Sequence, residues 1–482
     1  MNKSKNRFLR ICCFFLALVT ILLTFAACGN GGDSDDSDKV TVDKEVVDEP
    51  VPHYDWGGRI FTVLSVQNAY EPNFEIVGEI GGARVGESVF YRNAWIEEYY
   101  NVKIEQVGEA NDKPIELLDK TIQSGDHAYD LAFLVRNNMA TAIISGKMTD
   151  LNGVSYLDFS HDWYNSSTID SMKISGRLFH MVSDFSLVDK ARTNVLFFNR
   201  DMAEENQLPD IIQMVRDGQW TIEQMITCAK ANDSDGDGSM ELSDQWGLTC
   251  GGREAAAAFW NALGNEVVSI DENGNWSVEV ANEHSKDSIT ELRKLFNDNV
   301  SFVGDKFGDF SDARNTFIDS RTLFMSDSLS AIEVIGAKAT FSFTALPFPK
   351  YNAEQPQYYT TNDNTYCATF GIPTCAADVH FSGFMVEVLS WQSSTTTYPA
   401  YYEVVCKVKK SYDIVCAEML DLVFEGLIFD FGLMYSNNIN LKTDVLLKSI
   451  YETEDIVGLY KGEETAAETK IANLFNSVEI LD

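Results

Sequence analysis

The sequence predicts an α/β fold in which parallel strands alternate with helices. Short runs rich in β-branched and aromatic residues, such as RIFTVLSV at 59–66, are typical of strands, and segments with apolar residues at helical spacing separate them. The run YDLAFLV at 129–135 is continuous and apolar between polar residues, which is typical of a strand buried on both faces. This β-α-β-α-β order indicates a parallel sheet with crossover helices.

The remaining elements follow in chain order from the same patterns. Residues 88–100 and 117–122 carry apolar side chains at helical spacing and predict helices. Thr221 has Gln224 three residues later, which predicts a helix that is capped by Thr221 at its amino end. Further helices are predicted at 255–263 and 283–297 and over most of the last hundred residues, and further strands at 101–107, 176–182, 194–200 and 246–250.

The composition limits the classes of partner. The chain of 482 residues has 73 acidic and 37 basic side chains, which gives a net charge of −36. Nucleic acid is excluded as a partner, because proteins bind phosphate backbones through Lys and Arg. A hydrophobic fraction of 45% and an aromatic fraction of 12% exclude general disorder and predict sizeable cores.

Residues 1–27 are predicted to be a lipoprotein signal peptide. Four of the first ten residues are basic, an apolar run covers 11–27, and Ala26-Ala27 lead into Cys28. This order resembles bacterial lipoprotein signals, in which cleavage precedes a lipid-modified cysteine; Phe25 stands where such signals usually carry Leu. Cys28 is therefore the predicted lipidation site, and the alternative is an uncleaved membrane anchor. The chain is expected at the extracellular face of the cell membrane.

Residues 28–54 are predicted to be a flexible acidic linker. Glycines 29, 31 and 32 are followed by the acidic, serine-interleaved run DSDDSD at 33–38. Such a composition cannot bury apolar surface and repels itself, so we expect it to hold a folded body away from the membrane.

The spacing of the cysteines after the linker does not determine which of them would form disulfides. No CxxC pair occurs, and a chain of this length needs no disulfides for its stability. Apart from the predicted lipidation site Cys28, six cysteines remain after the leader, a number compatible with three bridges. We expect mostly free, buried thiols at Cys228, Cys250, Cys367, Cys375, Cys406 and Cys416.

The sharpest motif is an acidic loop at 233–244, with the sequence DSDGDGSMELSD. It matches D-x-D-x-D-G with an acid at position twelve, a spacing that turns several oxygens toward one hard cation such as Ca²⁺. The sequence predicts a structural calcium site without a catalytic role; the alternative is a solvated acidic turn. The predicted ligands are Asp233, Asp235, Asp237, Ser239, Glu241 and Asp244, the last standing where Glu is usual.

Segments spread over most of the mature chain carry a family resemblance. They include GESVFYRNAWIEEYYNVKI at 86–104, ISGRLFHMVSDFSL at 174–187, VLFFNRDMAEENQLP at 195–209 and FMSDSLSAIEVIG at 324–336. In this order they resemble the extracellular solute-binding proteins of family 1, the substrate-binding lipoproteins of ABC transporters. The resemblance implies a two-lobed, periplasmic-binding-protein-like fold of type II, with a hinge and a ligand cleft between the lobes. We expect residues 55–190 and 322–373 in lobe 1, and 191–321 and 374–482 in lobe 2.

The candidate ligand-binding residues are aromatic or polar side chains in predicted loops. Sugars need aromatic faces for their C–H patches and planar polar groups for their hydroxyls, and ligands of open α/β sheets bind beyond the carboxyl ends of strands. For each residue the alternative is core packing or a surface ion pair. The candidates are Asn138, Trp163, Asp184, Arg192, Arg253, Trp260 and Asp327.

The sequence carries none of the common catalytic motifs. It has no G-x-S-x-G elbow, no H-E-x-x-H and no Walker loop, and its six histidines show no ligand spacing. This absence favours a protein that is not an enzyme. The family resemblance implies a monomeric receptor that captures a small solute, which we expect to be a mono- or oligosaccharide, for an ABC permease. The alternatives are a secreted carbohydrate-active enzyme and an adhesive cell-surface lipoprotein.

Overall fold

The computed structural model describes residues 49–67, 76–81, 83–110, 112–271, 274–304, 310–362, 367–406, 414–441 and 464–479, together with residues 450, 455 and 458. The chain divides into two units, Met1–His53 and Tyr54–Asp482, and the fold below is that of the second. The predicted signal peptide 1–27, Cys28 and most of the linker 28–54 lie outside the described residues.

The strands are short and mostly buried. They are β1 (Arg59–Gln67), β2 (Val102–Ala110), β3 (Leu131–Val135), β4 (Asn194–Asn199), β5 (Trp246–Cys250), β6 (Val268–Ile270), β7 (Trp276–Val278), β8 (Ser301–Val303), β9 (Thr322–Ser328), β10 (Phe343–Leu346), β11 (Thr360–Thr361), β12 (Ala368–Gly371) and β13 (Leu427–Ile428).

The helices alternate with these strands and dominate the carboxyl-terminal part. They are α1 (Arg84–Tyr100), α2 (Lys113–Ser124), α3 (Arg136–Ile144), α4 (Ser166–Ser171), α5 (Val188–Ala191), α6 (Arg200–Glu205), α7 (Ile211–Arg216), α8 (Ile222–Cys228), α9 (Arg253–Ala262), α10 (Glu283–Leu295), α11 (Phe310–Ile318), α12 (Ala331–Lys338), α13 (Val379–Thr395), α14 (Thr397–Cys406), α15 (Ile414–Glu425), α16 (Phe431–Met434), α17 (Ser436–Ile439) and α18 (Glu464–Glu479).

The first sheet has the strand order β12-β3-β1-β2. β1 runs parallel to β2 and to β3, and β12 closes the edge antiparallel to β3. The parallel pairs are connected through α1 and α2, as the sequence predicts. Phe61, Val63 and Leu64 of β1 are fully buried. Because adjacent side chains of a strand point to opposite faces, the burial of Val63 and Leu64 shows that this strand is covered on both faces.

The second sheet has the order β10-β4-β9-β5-β8. β5 is parallel to β8 and β9, whereas β4 pairs antiparallel with both β9 and β10. All residues of β4, β5, β9 and β10 are buried, so this sheet is covered on both faces. The chain thus forms a mixed α/β fold with two separate main sheets.

Sheet membership differs from the predicted lobes in two places. Residues 322–373 were assigned to lobe 1, yet β9 and β10 pair within the second sheet, and only β12 joins the first. Helices α13 and α14 pack against α1 of the first sheet's layer, although 374–482 was assigned to lobe 2. An alternating strand–helix pattern does not reveal which sheet a strand joins, because that choice depends on contacts distant in sequence.

The predicted strand at 176–182 does not form. Ser175 and Gly176 both have positive φ, at 49° and 75°, and Ile174 and Arg177 exchange two backbone hydrogen bonds of 2.9 Å around them. A tight turn of this kind interrupts the extended backbone at the beginning of the predicted strand. Further along, Met181 makes an isolated bridge to Phe370 of β12.

The predicted cap of α8 is confirmed. The Thr221 hydroxyl accepts a hydrogen bond from the Gln224 backbone N–H at 3.4 Å, so it satisfies one of the free N–H groups at the helix start. The neighbouring Trp220 is fully buried and packs against Phe324 of β9, which anchors the helix to the second sheet.

Among the described residues, we found no helix with the length and apolar character that a bilayer crossing requires.

Candidate functional site

The two main sheets are connected by chain segments at one edge of each. The crossing segment, which we define as Ser183–Thr193, leaves the first sheet after the Met181–Phe370 bridge and reaches the second at the Thr193–Asn362 bridge. A second connection runs from Asn362 to Ala368, which lies opposite Val135 at the carboxyl end of β3. Six residue steps span at most about 21 Å, so the two edges lie close together. Ligands of α/β sheets bind at such edges.

A small sheet also lies between these edges. β11 pairs with β13 through Thr360 and Leu427. Phe429, directly after β13, lies beneath the guanidinium of Arg136, 4.9 Å from its ring centroid. Arg136 is the first residue after β3 and is fully buried, so the first sheet's edge contacts the small sheet directly.

Buried polar side chains hold the end of the crossing segment in place. The Asn362 amide donates hydrogen bonds to the Asp189 carbonyl at 2.6 Å and to the Thr193 hydroxyl at 3.2 Å. The Asn194 amide donates to the Thr361 carbonyl at 2.9 Å, and Lys190 Nζ lies 2.6 Å from Asp189 Oδ2. Burial raises the pKa of Asp189, while the charge of Lys190 opposes this shift. We term these residues the hinge network, because they fix the end of the crossing segment to β4 and to β11.

Trp163 and Asp184 lie together at the first end of the crossing segment. The Asp184 N–H donates to the Trp163 carbonyl at 3.0 Å. The half-buried Trp163 ring stacks on His161, with centroids 4.2 Å apart and planes 30° apart. The backbones of Trp163 and Asp184 therefore meet at this end of the crossing segment, and the Asp184 side chain is buried.

Glu387 fixes this aromatic pair and was missed in the sequence. It is fully buried in α13, where its carboxyl group contacts His161 Nδ1 at 2.6 Å and accepts from the Tyr164 hydroxyl at 2.7 Å. Burial raises the pKa of Glu387, while hydrogen bonds from Tyr164 and His161 oppose this. The sequence does mark this residue, because Glu387 is the one charged residue in the otherwise mostly apolar run GFMVEVLSW at 383–391.

Arg192 and Asp327 come together at the other end of the crossing segment. In the register of β4 and β9, Asp327 lies opposite Val195, which is three residues after Arg192 in the chain. Its buried carboxyl group accepts from Nε and Nη2 of Arg314 at 2.9 and 2.8 Å. Burial raises the pKa of Asp327, while the charges of Arg314 and Arg192 oppose the shift. Arg314 lies in α11 and was not predicted, because nothing in its local sequence marks it.

Three candidates lie elsewhere. Asn138, near the start of α3, donates to Asp112 Oδ1 at 3.0 Å rather than joining the crossing segment. Trp260 is fully buried in the core, so its ring offers no face to a ligand here. Arg253 is the first residue of α9, directly after β5 and Gly251-Gly252, and its side chain lies outside the described part of the chain.

The arrangement at the crossing segment suits a neutral polyhydroxylated ligand. An aromatic stack lies at one end, and a carboxylate–guanidinium group lies at the other, in the layers of different sheets. Aromatic faces pack on apolar C–H patches, while planar charged groups accept and donate hydrogen bonds to hydroxyls.

The acidic loop is a second, separate candidate site. One carboxylate oxygen from each of Asp233, Asp235 and Asp237 lies within 4.8 Å of the others. The backbone N–H groups of Gly236 and Gly238 donate to Asp233 at 2.7 and 2.8 Å, and Gly238 has a φ of 87° that favours glycine. These N–H groups hold the pKa of Asp233 below its ordinary value. A cluster of carboxylate oxygens at this spacing fits a hard cation.

Asp244 closes the loop. Its buried carboxylate accepts from the Ser234 N–H at 2.8 Å and from the Glu241 N–H at 2.7 Å, so it connects both ends of the loop. The Ser239 N–H donates to Asp237 Oδ1 at 2.7 Å. Trp246 Nε1 donates to the Glu241 carbonyl at 3.2 Å, which joins the loop to the first residue of β5. The loop therefore lies at the amino end of β5, opposite the sheet edge of the crossing segment.

Comparisons with known proteins identify the fold. No family model and no curated protein matches the chain. Among solved structures, the galacto-N-biose-/lacto-N-biose I-binding protein of an ABC transporter from Bifidobacterium longum, in complex with lacto-N-biose, has a TM-score of 0.57 and 12% identity over 87% of this chain and 98% of its own.

Two further structures match at a TM-score of 0.50. An ABC substrate-binding protein from Listeria monocytogenes, in complex with cycloalternan, is 12% identical over 88% of this chain and 99% of its own. The GacH receptor of Streptomyces glaucescens, solved unliganded and with acarbose and an acarbose homolog, is 14% identical over 88% of this chain and 98% of its own. The two-lobed fold implied by the sequence resemblance is thus confirmed: this chain has the periplasmic-binding-protein-like α/β fold of ABC substrate-binding proteins.

Proposed function

We propose that this protein is an extracellular solute-binding protein of family 1 that captures a mono- or oligosaccharide for an ABC importer. The observation that carries the proposal is the likeness, over 87–88% of the chain, to three binding proteins whose structures contain or recognise saccharides or saccharide analogues. Lacto-N-biose, cycloalternan and acarbose are all polyhydroxylated rings, which is the ligand chemistry that the crossing segment suits.

The ligand is held by residues at both ends of the crossing segment. Trp163 supplies the apolar face, and Asp184, Arg192 and Asp327 supply hydrogen-bonding partners for hydroxyl groups. Because these groups belong to the layers of two sheets, binding energy is available to bring the lobes together and to exclude water. Asn138, which donates a hydrogen bond to Asp112, and Trp260, which packs in the core, do not contact the ligand in this proposal. Arg253 stays a predicted ligand-binding residue.

The receptor acts outside the cell as a lipid-anchored monomer. The basic and apolar leader 1–27 directs export, and Cys28 carries the lipid. The acidic linker 28–54 holds the body at a distance from the membrane, where it delivers its solute unaltered to the transmembrane subunits of the permease.

A thermal-shift screen tests the saccharide proposal. Purified protein is heated with mono- and oligosaccharides, with peptides and with polyols. We expect one or more saccharides to raise the Tm and to be recovered chemically intact by chromatography. A saccharide that is hydrolysed would favour a carbohydrate-active enzyme, and a shift caused only by peptides or polyols would contradict the saccharide assignment.

Two matched variants locate the binding site. Trp163→Ala is expected to weaken binding of the best saccharide at least tenfold, because the ligand loses its aromatic face. Trp276→Ala removes another half-buried tryptophan, which packs on Phe475 in the β6–β7 region, and is expected to leave the affinity unchanged. Equal losses in both variants would place the binding site elsewhere.

We further propose that the acidic loop binds one structural Ca²⁺. Asp233, Asp235, Asp237, Ser239, Glu241 and Asp244 would hold it, and the ion would neutralise the repulsion among the three clustered aspartates. EDTA is expected to lower the Tm, and Ca²⁺ is expected to restore it better than Mg²⁺, which demands a tighter geometry.

The double variant Asp233→Asn/Asp235→Asn is expected to lose the response to EDTA. Asp170→Asn, which changes an exposed aspartate outside the loop, is expected to keep it. A Tm that EDTA leaves unchanged in the unaltered protein would contradict the calcium site.

A further inference from the structure

Two cysteines face each other where consecutive helices meet. Cys406 is the last described residue of α14, and Cys416 lies in the first turn of α15. Both side chains belong to the same apolar cluster, with exposed fractions of 8% and 0%. The structure holds both as thiols, and the Cys406 thiol is hydrogen-bonded to Cys416.

The helix register places these cysteines at the same level independently of the thiol contact. The Tyr402 hydroxyl donates to the Ala417 carbonyl at 2.5 Å and to Asp421 Oδ1 at 3.0 Å. Cys406 lies one turn beyond Tyr402 on the same face, and Cys416 directly precedes Ala417. Cys406 and Cys416 therefore both lie within about one helical turn of the contact between Tyr402 and Ala417.

We propose that Cys406 and Cys416 form a disulfide bond in the exported protein. One thiol loses its proton and attacks a disulfide of an extracytoplasmic thiol–disulfide oxidoreductase or of a small-molecule oxidant; the second then attacks the mixed disulfide. The new S–S bond replaces two S–H bonds, and the two electrons and two protons reduce the oxidant to two thiols. The oxidising compartment rests on the proposed export of the chain.

The fold also indicates when the bond forms. The hydrogen bond with Cys416, together with burial, raises the pKa of the Cys406 thiol, so the folded protein contains little of the reactive thiolate. Oxidation is therefore slow once the helices have packed, and the bond forms while the exported chain folds.

The bond would connect the layers of the two sheets. α14 packs against α1, which belongs to the layer of the first sheet, whereas α15 packs against β10 of the second. A covalent link between these helices closes a short loop at a third connection between the sheets. We expect this link to limit how far the two sheets can separate, while the contacts of the hinge network stay the same.

Differential alkylation tests the pairing in the full chain purified after export. Free thiols are blocked with N-ethylmaleimide in denaturant, the disulfides are reduced, and the new thiols are labelled with iodoacetamide before digestion and mass spectrometry. We expect the second label on Cys406 and Cys416 and the first label on Cys228, Cys250, Cys367 and Cys375. The Tm of the oxidised protein is expected to fall on reduction.

Cysteine variants provide the controls. Cys406→Ala is expected to leave Cys416 with the first label and to remove the effect of reduction on the Tm. Cys367→Ala is expected to keep the second label on Cys406 and Cys416 and to keep the effect of reduction on the Tm. The proposal is overturned if both cysteines carry the first label in exported protein and after refolding with oxidised glutathione, or if either pairs with another cysteine. Saccharide binding is measured separately on oxidised and reduced protein, so its loss would not be mistaken for failure of the disulfide.

Discussion

Glu266 is expected to destabilise the folded protein at neutral and alkaline pH. It lies between α9 and β6, largely buried, with the acidic side chains Asp430 and Glu279 nearby. Burial, followed by the charges of Asp430 and Glu279, raises the pKa of Glu266 from 4.5 to about 7. The substitution Glu266→Gln keeps the shape of the side chain and removes its ionisation, so it isolates the cost of this charge.

The sign follows from proton binding in the two states. Between pH 4.5 and about 7 the folded protein holds a proton on Glu266 that the unfolded chain has lost, so stability falls as the pH rises through this range. At 1.36 kcal/mol for each unit of pKa, the cost reaches about 3 kcal/mol above pH 7 and vanishes below pH 4. Glu266→Gln is therefore expected to stabilise the protein by up to about 3 kcal/mol at pH 8 and by less than about 1 kcal/mol at pH 5.

Urea unfolding followed by tryptophan fluorescence measures this difference. The free energy of unfolding of each variant is compared with that of the unaltered protein at the same pH, so that other titrating groups cancel. Glu333→Gln, an exposed glutamate in α12, is the matched control and is expected to change the free energy by no more than about 0.5 kcal/mol. A Glu266→Gln effect that is equal at pH 5 and pH 8, or larger at pH 5, would refute the reasoning.

Three further variants probe the buried charges of the fold. Burial and the charge of Arg136 lower the pKa of His180 from 6.5 to about 3, so the free energy of unfolding falls as the pH drops below 6.5, by about 3 kcal/mol at pH 4. His180→Asn is expected to remove this loss in urea titrations over pH 4–7. If the free energy of unfolding of the variant depends on pH as in the unaltered protein, the reasoning is wrong. Arg314→Ala leaves the buried carboxyl group of Asp327 without the two hydrogen bonds from Arg314 and is expected to cost about 3 kcal/mol at pH 7. The cost is expected to fall as the pH is lowered, because burial raises the pKa of Asp327 and protonation relieves the uncompensated charge; a cost that does not change with pH would contradict this. Asp244→Ala removes the carboxylate that accepts hydrogen bonds from two N–H groups of the loop. It is expected to lower the free energy of unfolding by about 2 kcal/mol even in EDTA. An effect seen only with Ca²⁺ would show that the carboxylate acts through the metal alone.

The sequence predicts the local elements well because they depend on neighbouring residues. The strand at 129–135 appears as β3, since a continuous apolar run needs burial on both faces. The Thr221 cap forms because its partner is three residues away. The strand at 176–182 fails because the pair Ser175-Gly176 adopts a tight turn that outweighs the extended preference of the following residues.

The candidate site is harder to predict because its parts meet only in three dimensions. Trp163 and Asp184 were separate candidates in the sequence, and their backbones meet in the structure. Glu387, which fixes the ring beside Trp163, is more than 200 residues away in the chain. Arg314 likewise reaches Asp327 from a different helix. Trp260 follows the run AAAA at 255–258, and a helix with so many small residues packs closely on its neighbours, which buries the indole.

Small-angle scattering of the purified protein tests the central claim most directly. The radius of gyration is measured without ligand and with the saccharide that gives the largest thermal shift. A receptor whose two lobes close on its solute predicts a smaller radius of gyration with the saccharide, and the saccharide is recovered unaltered. An unchanged radius at saturating saccharide would contradict the proposed closure of two lobes on a captured solute.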